Sequence, residues 1–371
     1  MVSKLTSTNS AVKASFSDSV LTQDDCDRGE QQFIQLLDTE ALDQALADQS
    51  VDPDEFERVL GNAIEIAYEK ENVERKSINH AAHRFLQRIL YRINRLKLFW
   101  YDDLRNYTNE RSSYLRQIRD RIEDAWQQWE ASHLDLSLYQ GIDVQQALVE
   151  RTTRDVDPPM SKEGLYFQQQ VELAGYRQLV KIASLDGLVE ASQLSRTLGG
   201  VANEVHSVLT RLLVEEYGAG RLGRKHSSYF TTMLEELGLQ TEPEAYFDDV
   251  PWEILAIINH SFLLTERKRF FLRYIGGLLY GELTVPASFR YYQAAGQRLG
   301  LSDSAMSYWN LHIKVDELHG QWMLDDVAIP LIDQYPDDAW EMVFGYDQQR
   351  FMSDRAGAAV IQAVQAADRA D

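Results

Sequence analysis

An all-α fold is predicted by three observations. The strong helix formers Leu, Ala, Glu, Gln and Arg are abundant, whereas prolines number only 8 in 371 residues. Apolar residues recur at the 3.6-residue period over long stretches, and the strict alternation that marks half-buried strands is sparse. Hydrophobic residues make up 44% of the chain, ample for a globular core. The length favours two domains over one, because single cores stop growing near roughly 250–300 residues.

Composition also excludes several classes of protein. A formal net charge of −21 argues against a nucleic-acid surface, which needs clustered Lys and Arg against phosphates. The single cysteine, Cys26, rules out an internal disulfide framework and fits a reducing cytosol. Its neighbours Asp24, Asp25 and Asp27 should raise its pKa and disfavour a nucleophilic role. No apolar run reaches the ~18 residues of a membrane helix, and Met1–Ser7 does not lead into the apolar core of a signal peptide. The expectation is a soluble, cytoplasmic protein with no membrane or nucleic-acid partner.

The elements follow in chain order. Residues 1–29 are rich in Ser, Thr and Asp and read as a flexible N-terminus. Residues 30–157 read as a first helical domain. Asp52-Pro53-Asp54-Glu55 looks like a helix start, with acids placed to suit the helix dipole. Arg84 to Trp129 is long and amphipathic, with Leu86, Ile89, Leu90, Ile93, Leu96 and Phe99 on one stripe. Such a stripe packs against other helices, either within one subunit or across a homodimer interface. Pro158-Pro159 cannot continue a helix and sets the expected domain boundary. Residues 164–371 read as a second helical domain, with breaks expected at Gly199-Gly200, Gly218–Gly223, Pro243, Pro286 and Gly300.

The second domain carries the chemistry. Tyr308 to His319 reads as a helix that places His312, Asp316 and His319 at i, i+4 and i+7. At ~100° per residue they fall within about 60° of arc, so two imidazoles and a carboxylate share one stripe. That donor set suits iron, zinc or manganese. Leu311, Val315, Leu318 and Trp322 are its expected apolar surroundings. Glu282 follows Leu278 and Leu279 on an apolar face, where an ionised carboxylate is costly unless it meets a cation. Arg273 or Arg290 could be that cation in place of a metal. Gly276, Gly277 and Gly281 leave room beside it for another helix or a small ligand. Ser184–Ala191 reads as a helix carrying Glu190. Glu216 and His226 would stand about 15 Å apart on a straight helix. Glycines at 218, 220 and 223 weaken that helix by ~1 kcal/mol each, so the chain can kink and return His226 to the acids.

Other signals carry less. His80 and His83 lie one turn apart near Glu74, a spacing met more often on ordinary helix faces than at metal sites. Gly218-x-Gly220-x-x-Gly223 matches a dinucleotide fingerprint only formally, because no strand precedes it. Glu204 and His206 read as core or surface residues, and Glu215 as a solvated neighbour of Glu216, although either acid could be the one that matters. Tyr308 could support His312 or belong to the core.

The H-x-x-x-D-x-x-H helix, the Glu216-Tyr217-Gly218-x-Gly220-x5-His226 segment and a lone Glu282 about 30 residues before His312 together resemble the haem-oxygenase-like diiron oxidases and oxygenases. The resemblance spans roughly residues 165–345. It implies a haem-oxygenase-like helical bundle binding two non-haem irons through Glu190, Glu216, His226, Glu282, His312, Asp316 and His319. It further implies O2 as co-substrate, an external electron donor the sequence does not name, and a small-molecule substrate. The acid at Glu216 is similar to the N-oxygenating members, in which a helical dimerisation domain also comes first. Oxidation of an amine or guanidine at nitrogen is therefore expected. The alternatives are C–H abstraction leading to desaturation, cleavage or decarboxylation, and a metal-holding or interaction bundle without turnover. No β-rich segment follows residue 345, so no second reaction in such a domain is expected.

Overall fold

A computed structural model describes residues 21–68, 76–100, 103–200 and 203–370, and the described residues contain helices and turns but no strand. The chain divides into two compact units, residues 1–86 and 87–371. The expected boundary at Pro158-Pro159 therefore lies within the second unit, where the prolines occupy the turn between two helices.

The first unit holds α1 (Gln23–Leu37), α2 (Leu42–Ala47), α3 (Asp54–Tyr68) and the start of α4 (Lys76–Asn94). α1 begins seven residues before the expected Glu30, because Thr22 and Asp25 form a reciprocal capping box. Residues 1–20 of the expected flexible N-terminus lie outside the described residues, as does Glu74. Phe33, Phe56 and Phe85 form the core, with ring centroids 5.2 and 6.3 Å apart. Cys26 is buried here, and its thiol is pushed up to about 12, first by burial and then by Asp27 and Asp25.

The second unit continues with α5 (Ser113–Ser132), α6 (Val144–Asp155), α7 (Lys162–Gln169), α8 (Leu173–Gly187) and α9 (Glu204–Glu216). It is completed by α10 (His226–Glu236), α11 (Trp252–Glu266), α12 (Phe271–Arg298), α13 (Ser307–Trp322), α14 (Ile329–Gln334) and α15 (Trp340–Ala370). The stripe from Arg84 to Trp129 is not one helix. α4 tightens into a 3₁₀ turn at Arg95–Lys97, Leu98 is extended, and Ser112 caps the new start of α5. Amphipathic periodicity survives such a break, which is why the sequence reads as continuous.

α12 and α15 are the central pair. Gly276 and Gly345 let them cross almost backbone to backbone: a Cβ on Gly276 would strike the Met342 carbonyl, and one on Gly345 the Arg273 carbonyl. The break expected at Pro286 does not occur, since α12 runs through it. Proline lacks the N–H that would bond the carbonyl four residues earlier, which here is that of Glu282. An aromatic core of Tyr176, Phe230, Tyr308 and Trp309 joins α8, α10 and α13. Among the described residues, no helix is long and apolar enough to cross a membrane.

Candidate metal centre

The glycine-rich segment makes the sharpest turn at the site. Gly218, Ala219 and Gly220 have φ of 60°, 51° and 76°, so α9 stops at Glu216 and the chain reverses. At Gly218 a Cβ would stand 2.5 Å from the Lys225 backbone nitrogen, so only glycine allows the two strands of this turn to touch. His226 thereby becomes the first residue of α10, with its Nδ1 2.8 Å from Glu216 Oε2. The kink expected from the sequence is present.

α13 presents His312, Asp316 and His319 together, and all three are buried. His312 Nδ1 donates to the Tyr308 carbonyl at 2.8 Å, which leaves Nε2, with its lone pair, 3.1 Å from His226 Nδ1. His319 Nδ1 faces Glu282 Oε2 at 3.2 Å, Asp316 Oδ1 at 3.6 Å and Glu216 Oε1 at 3.7 Å. Leu318 points outward, 52% exposed, rather than enclosing the site; it lies on the opposite side of α13 from the ligand stripe. Immediately beyond α13 the helix widens into a π turn, Met323–Ala328, a distortion frequent at functional sites.

The remaining two acids arrive from other elements. Glu282, on α12, reaches the centre through His319; Arg273 instead pairs with Glu341 at 2.7 Å, and Arg290 lies 3.6 Å from Asp157. Glu190 is not on a helix as expected. α8 ends at Gly187, and Glu190 adopts a left-handed φ of 58° in the turn that follows. A non-glycine residue held there is strained by roughly 1–3 kcal/mol and persists only where its surroundings impose it. The Tyr308 hydroxyl interacts with its carboxylate. Glu204 and His206 sit at the N-terminus of α9, where Asn203 caps the backbone of His206 at 2.9 Å.

Glu215 was not singled out by its pattern, yet its Oε2 lies 3.2 Å from His319 Nε2. A carboxylate on the outer nitrogen of a histidine orients the ring and strengthens its inner nitrogen as a donor. Two adjacent acids at a helix end look alike in sequence; only the reversal of the chain separates their roles.

The electrostatics suit a cation. Burial, then Glu216 and Asp186, raises Glu190 well above the usual carboxylate range. Burial, then Glu282, Glu216 and Glu190, pushes Asp316 up to about 10, and burial also raises Glu282. Burial likewise opposes the charge of Glu216, but the hydrogen bond from His226 and the nearby histidines outweigh it and lower the pKa. His312 is pushed down to about 4 by burial, so it is neutral, as a metal ligand must be. Burial would lower His319 too, but Glu282, Glu216 and Glu215 hold it above its ordinary value. Glu190 Oε1 and Asp316 Oδ1 are buried without any hydrogen-bond partner. Orphaned carboxylate oxygens together with buried histidines, His312 among them neutral, are a donor set that fits iron.

Two groups have metal-binding spacing: Glu216 with His226 and His312, and Glu216 with Asp316 and His319. A cavity of about 1130 Å³ adjoins them and runs outward to the exposed residues Pro158, Pro159 and Glu163.

Residues 177–349 match the model of a family described as iron-containing redox enzyme, a span that contains all seven candidate ligands. Residues 177–349 thus resemble an iron-containing redox enzyme domain of the haem-oxygenase-like, helical-bundle kind. In particular, the chain is 28% identical over 182 residues to the nitrosourea synthase of Streptomyces achromogenes subsp. streptozoticus. That alignment covers 49% of this chain and 38% of the relative.

Proposed function

We propose that the protein is a non-haem diiron oxygenase that oxidises nitrogen in a small amine or guanidine. The observation that carries the reading is that Glu216 belongs to both ligand groups, with one oxygen toward His226 and the other toward His319. Glu216 with His226 and His312, and Glu216 with Asp316 and His319, would hold two ions, with Glu190 and Glu282 as further acids. Two irons bound there would supply the electrons and open positions that activate O2.

The chain's own residues do the rest. Tyr308 and Glu215 fix the ring orientations of His312 and His319 from outside the cluster. Phe289 packs its ring 5.5 Å from that of His312 and, with Trp309, keeps water from the inner wall. The cavity gives a small molecule access from the Pro158–Glu163 rim to the ligands. Hydroxylation of an amine consumes one O2, two electrons from an external donor and two protons, and yields a hydroxylamine and water. The named activity of the relative supports the nitrogen reading, since a nitrosourea carries oxidised nitrogen.

The test is O2 uptake by iron-loaded, chemically reduced protein, with mass analysis of products from a panel of amines and guanidines. Uptake accelerated by one of them, with one oxygen added at nitrogen, is expected. Uptake that none accelerates, or an oxygen found on carbon, would overturn the proposal.

A further inference from the structure

Asp186 stands apart from every other carboxylate at the centre. It sits in the last turn of α8, four residues before Glu190, and its backbone carbonyl accepts from Val189 and Glu190 at 2.8 and 2.7 Å. Its side chain has no hydrogen bond or ion pair among the described residues, and the charged groups that act on it, Glu216 and Glu190, are both acids. It is exposed, and it lines the cavity. The protein atoms packed around it, then Glu216, push its carboxyl up to about 6. The backbone beside it is tightly packed: a Cβ on Gly187 would stand 2.7 Å from the Phe230 ring.

The charge of the cavity is one-sided. Eight carboxylates and one guanidinium, Arg350, line it, with no lysine among them. Four of the acids are the candidate ligands, whose charge two divalent ions would offset. Asp155 is satisfied by Arg154 at 2.7 Å and by the Tyr346 hydroxyl at 3.1 Å. Asp354, raised by burial, has the Arg350 guanidinium to oppose that shift, and Glu163 lies on the exposed rim. Asp186, nearer the ligands, is left unmatched at the C-terminal and therefore negative end of a helix. A carboxylate without a partner on a cavity wall is free to pair with a ligand that brings the countercharge.

We infer that Asp186 is the docking point for a cationic nitrogen group of the substrate, an ammonium or guanidinium, held in the cavity beside the metal ligands. This rests on the proposed oxygenase reading and deepens it by naming what distinguishes substrate from non-substrate. Ile254, Ile257 and Leu264 line the same cavity and suit an aliphatic stem attached to that cation.

The test compares ligands that differ only in charge, on iron-loaded protein kept free of O2. The probes are n-butylguanidinium against n-butylurea, and n-pentylammonium against 1-pentanol, with binding read by calorimetry. Wild type is expected to hold at least one cation about tenfold or more tightly than its neutral match. Asp186→Asn is expected to lose that preference, and Asp186→Glu to keep part of it, with iron content unchanged in both. Equal binding of cation and neutral match, no binding of any probe, or a preference that survives in a folded Asp186→Asn would overturn the inference. Loss of iron in Asp186→Asn would also overturn it, by making Asp186 a ligand. Failure of the oxygenase reading is separate, since it would appear as absent iron or absent turnover whatever the cations do.

Discussion

Replacing Gly218 by alanine should remove metal from the His226 side of the centre. Gly218 has φ +60°, a conformation that disfavours an L side chain by roughly 1–2 kcal/mol. The added Cβ would also stand 2.5 Å from the Lys225 nitrogen, so backbone must retreat by about 0.9 Å to reach an ordinary contact near 3.4 Å. Overpacking of this kind costs about 1–3 kcal/mol more, giving roughly 2–5 kcal/mol in all. Metal–ligand distances tolerate only about ±0.2 Å, and His226 directly follows Lys225, so the shift carries its ring out of reach. Two controls separate the contributions. Gly220→Ala meets nothing within 4 Å but has φ +76°, so it should show only the conformational part. Gly223→Ala meets nothing and has no positive φ, so it should be nearly neutral. Thermal melts with and without ferrous ion, together with iron content per chain, provide the assay. Gly218→Ala protein that binds iron like wild type, with a melting point equal to that of Gly220→Ala, would refute the role given to this turn.

Other predictions follow from the electrostatics. In the metal-free protein, Glu190 and Asp316 have raised pKa values, Asp316 at about 10. Their stabilising contribution, as neutral acids, is complete below the unfolded value near ~4 and is lost as pH rises through the folded ones. Between about pH 7 and 9 His312 is neutral in both folded and unfolded states, whereas His319, raised above its ordinary value, adds to the slope with the same sign in wild type and variant. Stability should fall there by up to ~1.4 kcal/mol per pH unit for each proton the folded state retains. Denaturant titrations of chelator-treated protein would show this, and a Glu190→Gln/Asp316→Asn variant should flatten the slope; equal slopes would contradict it. Loading with ferrous ion should reverse the trend, because ligands must shed their protons, and proton release on a pH-stat would measure it. Glu215→Gln should weaken iron binding by about 10–100-fold with the iron-to-chain ratio at saturation unchanged, whereas loss of an ion at saturation would make Glu215 a ligand.

The parts of the site legible in the sequence are those that periodicity or glycine dictates. His312, Asp316 and His319 share a stripe because helical geometry leaves them no alternative, and the Gly218–Gly223 segment announced a reversal that does bring His226 to Glu216. Glu190 was found by its likeness to a family but misplaced on a helix. No periodic signal marks a left-handed residue just past a helix end when that residue is not glycine. The sequence leaves Glu215 and Glu216 undecided between them and does not mark Asp186, since only tertiary placement distinguishes a carboxylate touching a histidine or a cavity from one in water. The fold shows the same division. Helices were recognisable throughout, but the interruption between α4 and α5 and the passage of α12 through Pro286 depend on caps and packing that apolar spacing does not record.

The central claim is most directly tested by the iron content of the reconstituted chain beside that of Glu216→Ala. Two irons per chain in the wild type, and loss of tight binding at both positions in the variant, is the predicted result. One iron or none in the wild type, or a Glu216→Ala protein that still holds two, would contradict the shared carboxylate on which the centre is built.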